Sequence, residues 1–564
     1  MEQQIKLEKT NILNLVNSPK DLKLLNRKKL KILAQEIRQK ILDVVSKNGG
    51  HLGGPLGAVE LTIAVHYSFD APNDKIIIDT GHQSYPHKLI TGRRNKFHTL
   101  RQYKGICGFC NIFESEYDVF GAGHASTSIS AALGIAKARD FKDEKNKVVV
   151  IVGDGALTAG LAFEGLNNAG ASQTDILIIL NDNRMSISPN VGAISNYLNK
   201  VVLRSGYFKL RKRARNLLEK IPGIGQEEIY KVFKAEEKLR ILASEGNFFE
   251  SLGFQYFGPI DGHNFDELIP ALENIKDLKG PVLLHVKTEK GKGYSFAEKD
   301  IDKLHGMSPF DIINGQKYVT TTNVTYTDAF ANALIRIAEE DEKIVAITAA
   351  MKAGTGLSKF EKHFPDRTFD VGIAEQHAVT FAAGLAIAGM KPVCAIYSTF
   401  LQRAYDQIIH DVCLQNLGVI FALDRAGLVG DDGPTHNGPF DIAYFRAIPN
   451  ITIMVPKDEK ELQHMLYTAT FIKGPSAIRY PRGSGIGVGL DAEFRKLKVG
   501  KGEILKKGND LLIMGVGPIL YDAIHAVDEL KVNATIINAK FVKPLDEELI
   551  TNNAKKIKDI ITLE

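Results

Sequence analysis

The run Val152-Gly153-Asp154-Gly155 and the later run Asn181-Asp182-Asn183 are the residues of this sequence best suited to hold a charged ligand. Each follows an apolar run of strand length, Val148–Val152 and Ile176–Leu180, and Asp154 and Asn183 lie 29 residues apart. That interval accommodates one strand–helix–strand crossover, so both clusters would fall at the carboxyl ends of neighbouring parallel strands, where such sheets bind ligands. Asp154 and Asn183 offer hard oxygen ligands. Magnesium takes one or two of these and completes its octahedron with phosphates and water. Gly155 would allow close approach, and a helix beginning near Ala156 would aim its amide dipole at a diphosphate. Two polar strand-end turns without a ligand are the bland alternative, and GDG alone would merit it. A dinucleotide fingerprint is excluded, because Gly160 comes too late for GxGxxG.

Paired across one crossover, GDG and NDN resemble the thiamine-diphosphate motif of transketolase-like enzymes. That cofactor needs an acid hydrogen-bonded to its aminopyrimidine ring, the protein tuning chemistry that the cofactor performs. A buried glutamate suits this, since desolvation raises its pKa and lets it share a proton. Glu375, in Val371-Gly372-Ile373-Ala374-Glu375-Gln376-His377 at the start of the apolar helix Ala378–Ala388, is the candidate. Alone, an acid in a first helical turn would merely complement the helix dipole.

Further segments resemble the 1-deoxy-D-xylulose-5-phosphate synthase family in particular. They are Gly49-Gly50-His51-Leu52, Gly81–Lys88, Gly121–Ser130, Tyr397–Gln407, Asp424–His436 and Arg479–Gly483. The Asp424-Arg425-Ala426-Gly427 opening separates the chain from transketolase itself. The resemblance implies thiamine diphosphate and Mg2+ as cofactors, and pyruvate and glyceraldehyde 3-phosphate as substrates of a decarboxylating condensation. It implies Asp154, Asn183 and Met185 at the metal. His82, Gly123, His124, Ala125, Gly155, Ala156, Asn183, Tyr294, Glu375 and Phe400 would contact the cofactor. His51, His82, His305 and His436 would ring the reacting carbons, since imidazole titrates near neutral pH. Each of these histidines, taken alone, has a structural alternative. Tyr397, Arg403, Arg425, Asp431 and Arg482 would form the substrate-phosphate group, arginine's planar fork suiting phosphate oxygens. Half-sites on different domains would meet within one subunit of a homodimer. The Gly53-Gly54-Pro55 run departs from the commonest family wording. Family members also continue past Thr562-Leu563-Glu564, which implies an incomplete or short third domain.

The elements that must position these residues read as α/β. A helix over about Arg27–Ser46 is stopped by Gly49-Gly50. Strand-like and helix-like runs then alternate: Ile76–Asp79, Ser126–Arg139, Val148–Val152, Leu157–Ala169 and Ile176–Leu180. Continuously apolar strands in such alternation mean mostly parallel sheets sandwiched by helices. We expect three domains of transketolase-like fold. The first, 1–315, would bind diphosphate and metal, with a mobile basic insertion near 200–240. The second, 316–485, would bind the aminopyrimidine, and 486–564 would be the C-terminal domain.

Composition excludes several classes. Of the chain's net charge of +5, Lys200–Arg240 alone carries 12 basic against 5 acidic residues, so the remainder is close to neutral and no nucleic-acid face is expected. No run reaches membrane-span length and Met1–Ile5 does not open a signal peptide, so we expect a cytoplasmic protein with no membrane partner. Cys107 and Cys110 form a lone CxxC, which argues for packing rather than zinc. Another thiamine-diphosphate enzyme, such as transketolase or a 2-oxoacid dehydrogenase component, stays open as an alternative. So does a non-catalytic homologue, and nucleotide binding is the weakest rival.

Overall fold

The computed structural model describes residues 11–185, 192–193, 248–300, 304–318, 323–430 and 432–564. The basic insertion at 200–240, the first residues Met1–Ile5 and Asp431 lie outside the described residues. The chain separates into two compact units, Met1–Tyr318 and Val319–Glu564.

In the first unit, β1 (Gly50–His51) is a two-residue strand, followed by β2 (Lys75–Ile78), β3 (Val148–Gly153), β4 (Leu177–Asp182), β5 (Gln255–Asp261), β6 (Val282–Lys287) and β7 (Gly306–Met307). Five of these form one parallel sheet in the order β2-β3-β4-β6-β5. Strand β4 is buried along its whole length and β3 through Val152, the burial expected of strands covered on both faces. The helix Arg27–Asn48 begins where Asn26 accepts the Lys29 N–H and stops at Gly49, whose φ of 72° suits a residue without Cβ. Its Leu33, Ile37, Ile41 and Val45 are fully buried.

The helix expected over Leu157–Ala169 is two pieces, Asp154–Leu157 and Gly160–Ser172. Between them Thr158 Oγ1 donates to Gly155 O and Ala159 turns extended, so the long helix starts only at Gly160. Four residues next to the polar cluster therefore form a tight turn of their own.

In the second unit, β8 (Ile344–Thr348), β9 (Thr368–Asp370), β10 (Lys391–Tyr397), β11 (Ile420–Asp424), β12 (Thr452–Met454) and β13 (Ser476–Arg479) build a parallel sheet. A smaller sheet contains β14 (Glu503–Lys506), β15 (Leu511–Gly515), β16 (Ala534–Asn538) and β18 (Ile560–Leu563), in the order β14-β16-β15-β18. Between β16 and β18, the chain sends β17 (Phe541–Lys543) to the edge of the larger sheet, antiparallel to β12. Lys457, Glu461, Glu503, Lys540 and Asn538 weave side-chain bonds near this crossing. The Gly-rich stretch after Arg482 is anchored as well: the N–H groups of Ile486, Gly487 and Val488 donate to the buried Glu459 carboxylate. No helix among the described residues is long and apolar enough to cross a membrane.

Candidate functional site

Strands β3 and β4 run in parallel register, Gly153 opposite Asn181, which puts Asp154 and the Asn181-Asp182-Asn183 run at one sheet edge. Asp154 is 2 % exposed. Burial raises its pKa well above the usual carboxylate range, and a hydrogen bond to the Asp182 carboxylate raises it further. Asp182 stays low: burial pushes it up, but His285 outweighs this, with Nε2 2.8 Å from Asp182 Oδ2. The far nitrogen of His285 meets the Tyr256 hydroxyl at 2.7 Å. Asn183 folds back so that its Oδ1 accepts the Met185 N–H, and Asp182 accepts that of Arg184. Two carboxyls in hydrogen-bond contact must share a proton unless a cation replaces it. This oxygen donor set therefore fits a hard divalent ion.

Sequence reasoning singled out Asn183, the last member of N-D-N, and passed over Asp182, the middle one. The strand-end position of Asp182 was visible, but its partner His285 lies 103 residues away. Asn181 was also missed: its amide donates to Gln83 Oε1 and its oxygen accepts from Thr288, tying β4 to the residue next to His82. Asp79 grips the Gly121–Ser130 loop through the N–H groups of Ser126 and Ser128, and Ser126 Oγ donates to Ala156 O. Gly123, Ala125, Gly155 and Ala156 are buried there, and His124 is half-buried. Tyr294 is buried, its ring against Phe296 and Phe310 and its hydroxyl donating to Ile312 O.

Three of the four singled-out histidines gather in the first unit. Ring centroids are 5.6 Å apart for His51–His82, 5.4 Å for His51–His305 and 5.2 Å for His82–His305. The two-residue ladder β1·β7 pairs His51 with Gly306 and so sets His51 beside His305. Gly50, at φ 133°, makes room: a Cβ there would come within 2.8 Å of the Tyr85 hydroxyl. The Gly53-Gly54-Pro55 run forms a short helix, Gly53–Gly57, and a Cβ on Gly54 would meet the His82 ring at 2.9 Å. Burial lowers the pKa of His82 and His305 well below the usual imidazole range, with Lys290 and the neighbouring rings adding to it. Both rings are neutral at pH 7. Their Nδ1 atoms are enclosed with no hydrogen-bond partner among the described residues.

A second buried cluster, His87, Cys110 and Asp118, has ligand atoms close enough for a metal. Its chemistry argues against one. Arg93 makes two 2.8 Å bonds to Asp118, His87 Nε2 takes a third, and burial pushes the Cys110 thiol up to about 12. Cys107 and Cys110 are both free thiols, half-buried and buried.

In the second unit Glu375 opens the helix Glu375–Ile387 and is 2 % exposed. Its pKa is raised by burial, against the pull of Arg403. Oε2 has no hydrogen-bond partner among the described residues, and the Arg403 guanidinium lies 3.8 Å away. A protonatable carboxyl enclosed in this way fits a ring nitrogen of a bound heterocycle.

His436, Phe400, Tyr397 and Arg425 form a continuous file. Phe400 meets His436 edge-on at 5.3 Å and stacks on Tyr397 at 5.7 Å, and Arg425 lies 3.9 Å over the Tyr397 ring. Arg425 has a φ of 59°, donates to Gly354 O and pairs with Asp424 at 2.7 Å. Burial raises the Tyr397 phenol, and the charges of Arg425, Asp424, Arg482 and Asp432 all act on it. Arg482 is exposed. Asp432, adjacent to the singled-out Asp431, is thus one of two described acids whose charge acts on Tyr397, with Asp424. Gly354 was missed too, although a Cβ there would occupy the place of the Tyr397 hydroxyl. Arg403 lies 3.8 Å from Glu375.

Residues 13–288 match the family described as 1-deoxy-D-xylulose-5-phosphate synthase. Residues 322–486 match the transketolase pyrimidine binding domain, and 500–564 the transketolase C-terminal domain. A 1-deoxy-D-xylulose-5-phosphate synthase of Halothermothrix orenii is 55% identical over 98% of this chain and 88% of its own length. One of Syntrophus aciditrophicus is 54% identical over 98% of this chain and 86% of its own length. Among solved structures, transketolase from Campylobacter jejuni is 20% identical, covers 95% of this chain and 92% of that one, and gives a TM-score of 0.38.

Proposed function

The chain belongs to the 1-deoxy-D-xylulose-5-phosphate synthase family, and on that premise we propose which residues perform the reaction. The reaction is a thiamine-diphosphate-dependent transfer that condenses pyruvate with D-glyceraldehyde 3-phosphate in isoprenoid-precursor synthesis, releasing carbon dioxide. The residue assignment rests above all on Glu375, an enclosed carboxyl whose Oε2 has no hydrogen-bond partner among the described residues and whose pKa burial raises.

Bound thiamine diphosphate supplies the nucleophilic carbon and the electron sink for decarboxylation. Glu375 holds its proton at Oε2 for the aminopyrimidine nitrogen. Asp154 and Asn183, with Met185 in the same turn, would hold Mg2+, which would neutralise charge on the diphosphate. Asp154 would then be held ionised in place of sharing a proton with Asp182, and His285 keeps Asp182 oriented. His82 and His305, neutral at pH 7, accept and return protons at the substrate oxygens, with His51 and His436 in the same service. Arg425 and Arg482 hold the aldehyde's phosphate beside Tyr397. Residues 1–315 form the diphosphate domain, 316–485 the pyrimidine domain and 486–564 the C-terminal domain of a cytoplasmic homodimer.

Carbon dioxide release from pyruvate, measured with thiamine diphosphate and Mg2+, tests this. It should depend strongly on glyceraldehyde 3-phosphate, and Glu375→Ala should abolish it. Full release by Glu375→Ala would remove the central assignment. Chelation of Mg2+ should stop turnover, and Asp154→Asn should raise the Mg2+ concentration needed.

A further inference from the structure

The three chain segments that carry the phosphate file converge on one buried carboxylate. Asp441, 1 % exposed, opens the helix Asp441–Ala447. Its Oδ2 accepts from Ser398 Oγ at 2.9 Å and from Arg479 Nε at 3.0 Å, while Oδ1 accepts the Ile442 N–H at 2.7 Å. Ser398 directly follows Tyr397 at the end of β10 and stands two residues before Phe400. Arg479 ends β13, three residues before Arg482. Asp441 itself closes the loop that begins at Arg425 and carries Asp432 and His436.

That loop is cinched on the same spot. Gly427 and Gly438 exchange both backbone hydrogen bonds, at 2.9 and 2.8 Å. A Cβ at Gly438 would run into the Ser398 side chain, so the loop seats directly on the Asp441–Ser398 contact. Ala426 N also donates to Tyr480 O at 3.0 Å, binding the Arg425 turn to the β13 end. A carboxylate that accepts from two separate segments fixes their spacing more tightly than either bond alone, because moving one segment breaks the geometry of the other.

Resting on the reading of Arg425, Arg482 and Tyr397 as the phosphate contacts, we infer that Asp441 is the positioning residue that sets phosphate selectivity. It holds the β10, β11 and β13 ends at the separation that one phosphate monoester spans. Its effect reaches the substrate only through Tyr397, Arg425 and Arg482.

The test compares D-glyceraldehyde 3-phosphate with D-glyceraldehyde, the same aldehyde without phosphate, in Ser398→Ala, Asp441→Asn and Arg425→Ala holoenzymes. Ser398→Ala leaves the Asp441–Arg479 pair in place and so guards against a variant that does not fold. The KM for the phosphorylated aldehyde should rise roughly 3- to 10-fold in Ser398→Ala and roughly 10- to 100-fold in Asp441→Asn. In both, kcat, the KM for pyruvate and kcat/KM for D-glyceraldehyde should stay near wild type. Equal losses with both aldehydes, or a fall in kcat alone, would mean a merely structural role and overturn the inference. If Arg425→Ala raises the phosphorylated aldehyde's KM while the two other variants do not, the inference fails and the phosphate reading stands. If Arg425→Ala leaves that KM unchanged, the phosphate reading fails first and the inference goes with it.

Discussion

His82 and His87 stand five residues apart on one segment, and the structure puts them in opposite circumstances. His87 is satisfied at both ring nitrogens, 2.8 Å from His66 on one side and 2.8 Å from Asp118 on the other. Around that pair, Arg93 and Lys88 reach Asp118 and Glu114 to close a buried ionic network. His82 faces two other imidazoles and the charge of Lys290, and its enclosed Nδ1 meets no partner among the described residues. An enclosed polar atom without a partner costs about 1–3 kcal/mol, so it persists where something other than folding uses it. The same residue type on the same segment is thus a brace in one place and an open valence in the other. What separates them is the carboxylate, present beside His87 and replaced by cationic and neutral groups beside His82.

The sharpest way to break this contrast is to remove the carboxylate. Asp118 accepts from Arg93, His87 and the Asn111 N–H. Asp118→Ala leaves the buried Arg93 and Lys88 to share Glu114 and strips His87 Nε2 of its acceptor, and should destabilise the fold by roughly 3 kcal/mol. Urea unfolding would read this directly. A loss below about 1 kcal/mol would mean the network is solvated and the brace illusory.

The opposite substitution should have the opposite profile. His305→Ala removes a ring whose Nδ1 makes no hydrogen bond among the described residues, so stability should move by less than about 1 kcal/mol. On our assignment the same variant should lose roughly 100-fold or more in kcat as a proton-transfer group disappears. Unfolding as severe as in Asp118→Ala, with kcat per folded molecule intact, would make His305 another brace.

Why the sequence could not make this distinction is physical. Strands β2, β3 and β4 were legible within two residues because long apolar runs carry their own signal. So was the placement of GDG and NDN at neighbouring strand ends, which needs only the crossover length. The ladder that sets His51 beside His305 is two residues long on each side and joins positions 255 and 257 apart. No periodicity marks so short a strand. Nor could Gly81–Lys88 announce that one of its histidines would find Asp118, 31 residues on, and the other would not. Strand β17 was hidden for a related reason: three residues between β16 and β18 leave the smaller sheet and pair with β12, a choice made by tertiary contact.

The smallest expected effect extends the contrast to the second unit, where the enclosed Glu375 Oε2 has no hydrogen-bond partner among the described residues and lies 3.8 Å from the Arg403 guanidinium. Burial raises its pKa in the folded protein, while the unfolded chain holds a glutamate near roughly 4.3. Above that value the unfolded state sheds its proton before the folded state does, so the wild-type carboxyl weakens the fold as pH rises. Glu375→Gln removes the titration and keeps the shape. The cofactor-free variant should therefore match wild type near about pH 3, where both states are protonated, and gain stability towards pH 8. The gain should stay within about 1 kcal/mol, since the Arg403 contact at 3.8 Å is lost in exchange. Thermal unfolding across that range measures it, alongside loss of the aldehyde-dependent carbon dioxide release. A variant less stable than wild type at pH 8 would show that Glu375 is paired like Asp118. The two units would then use buried carboxylates in the same way.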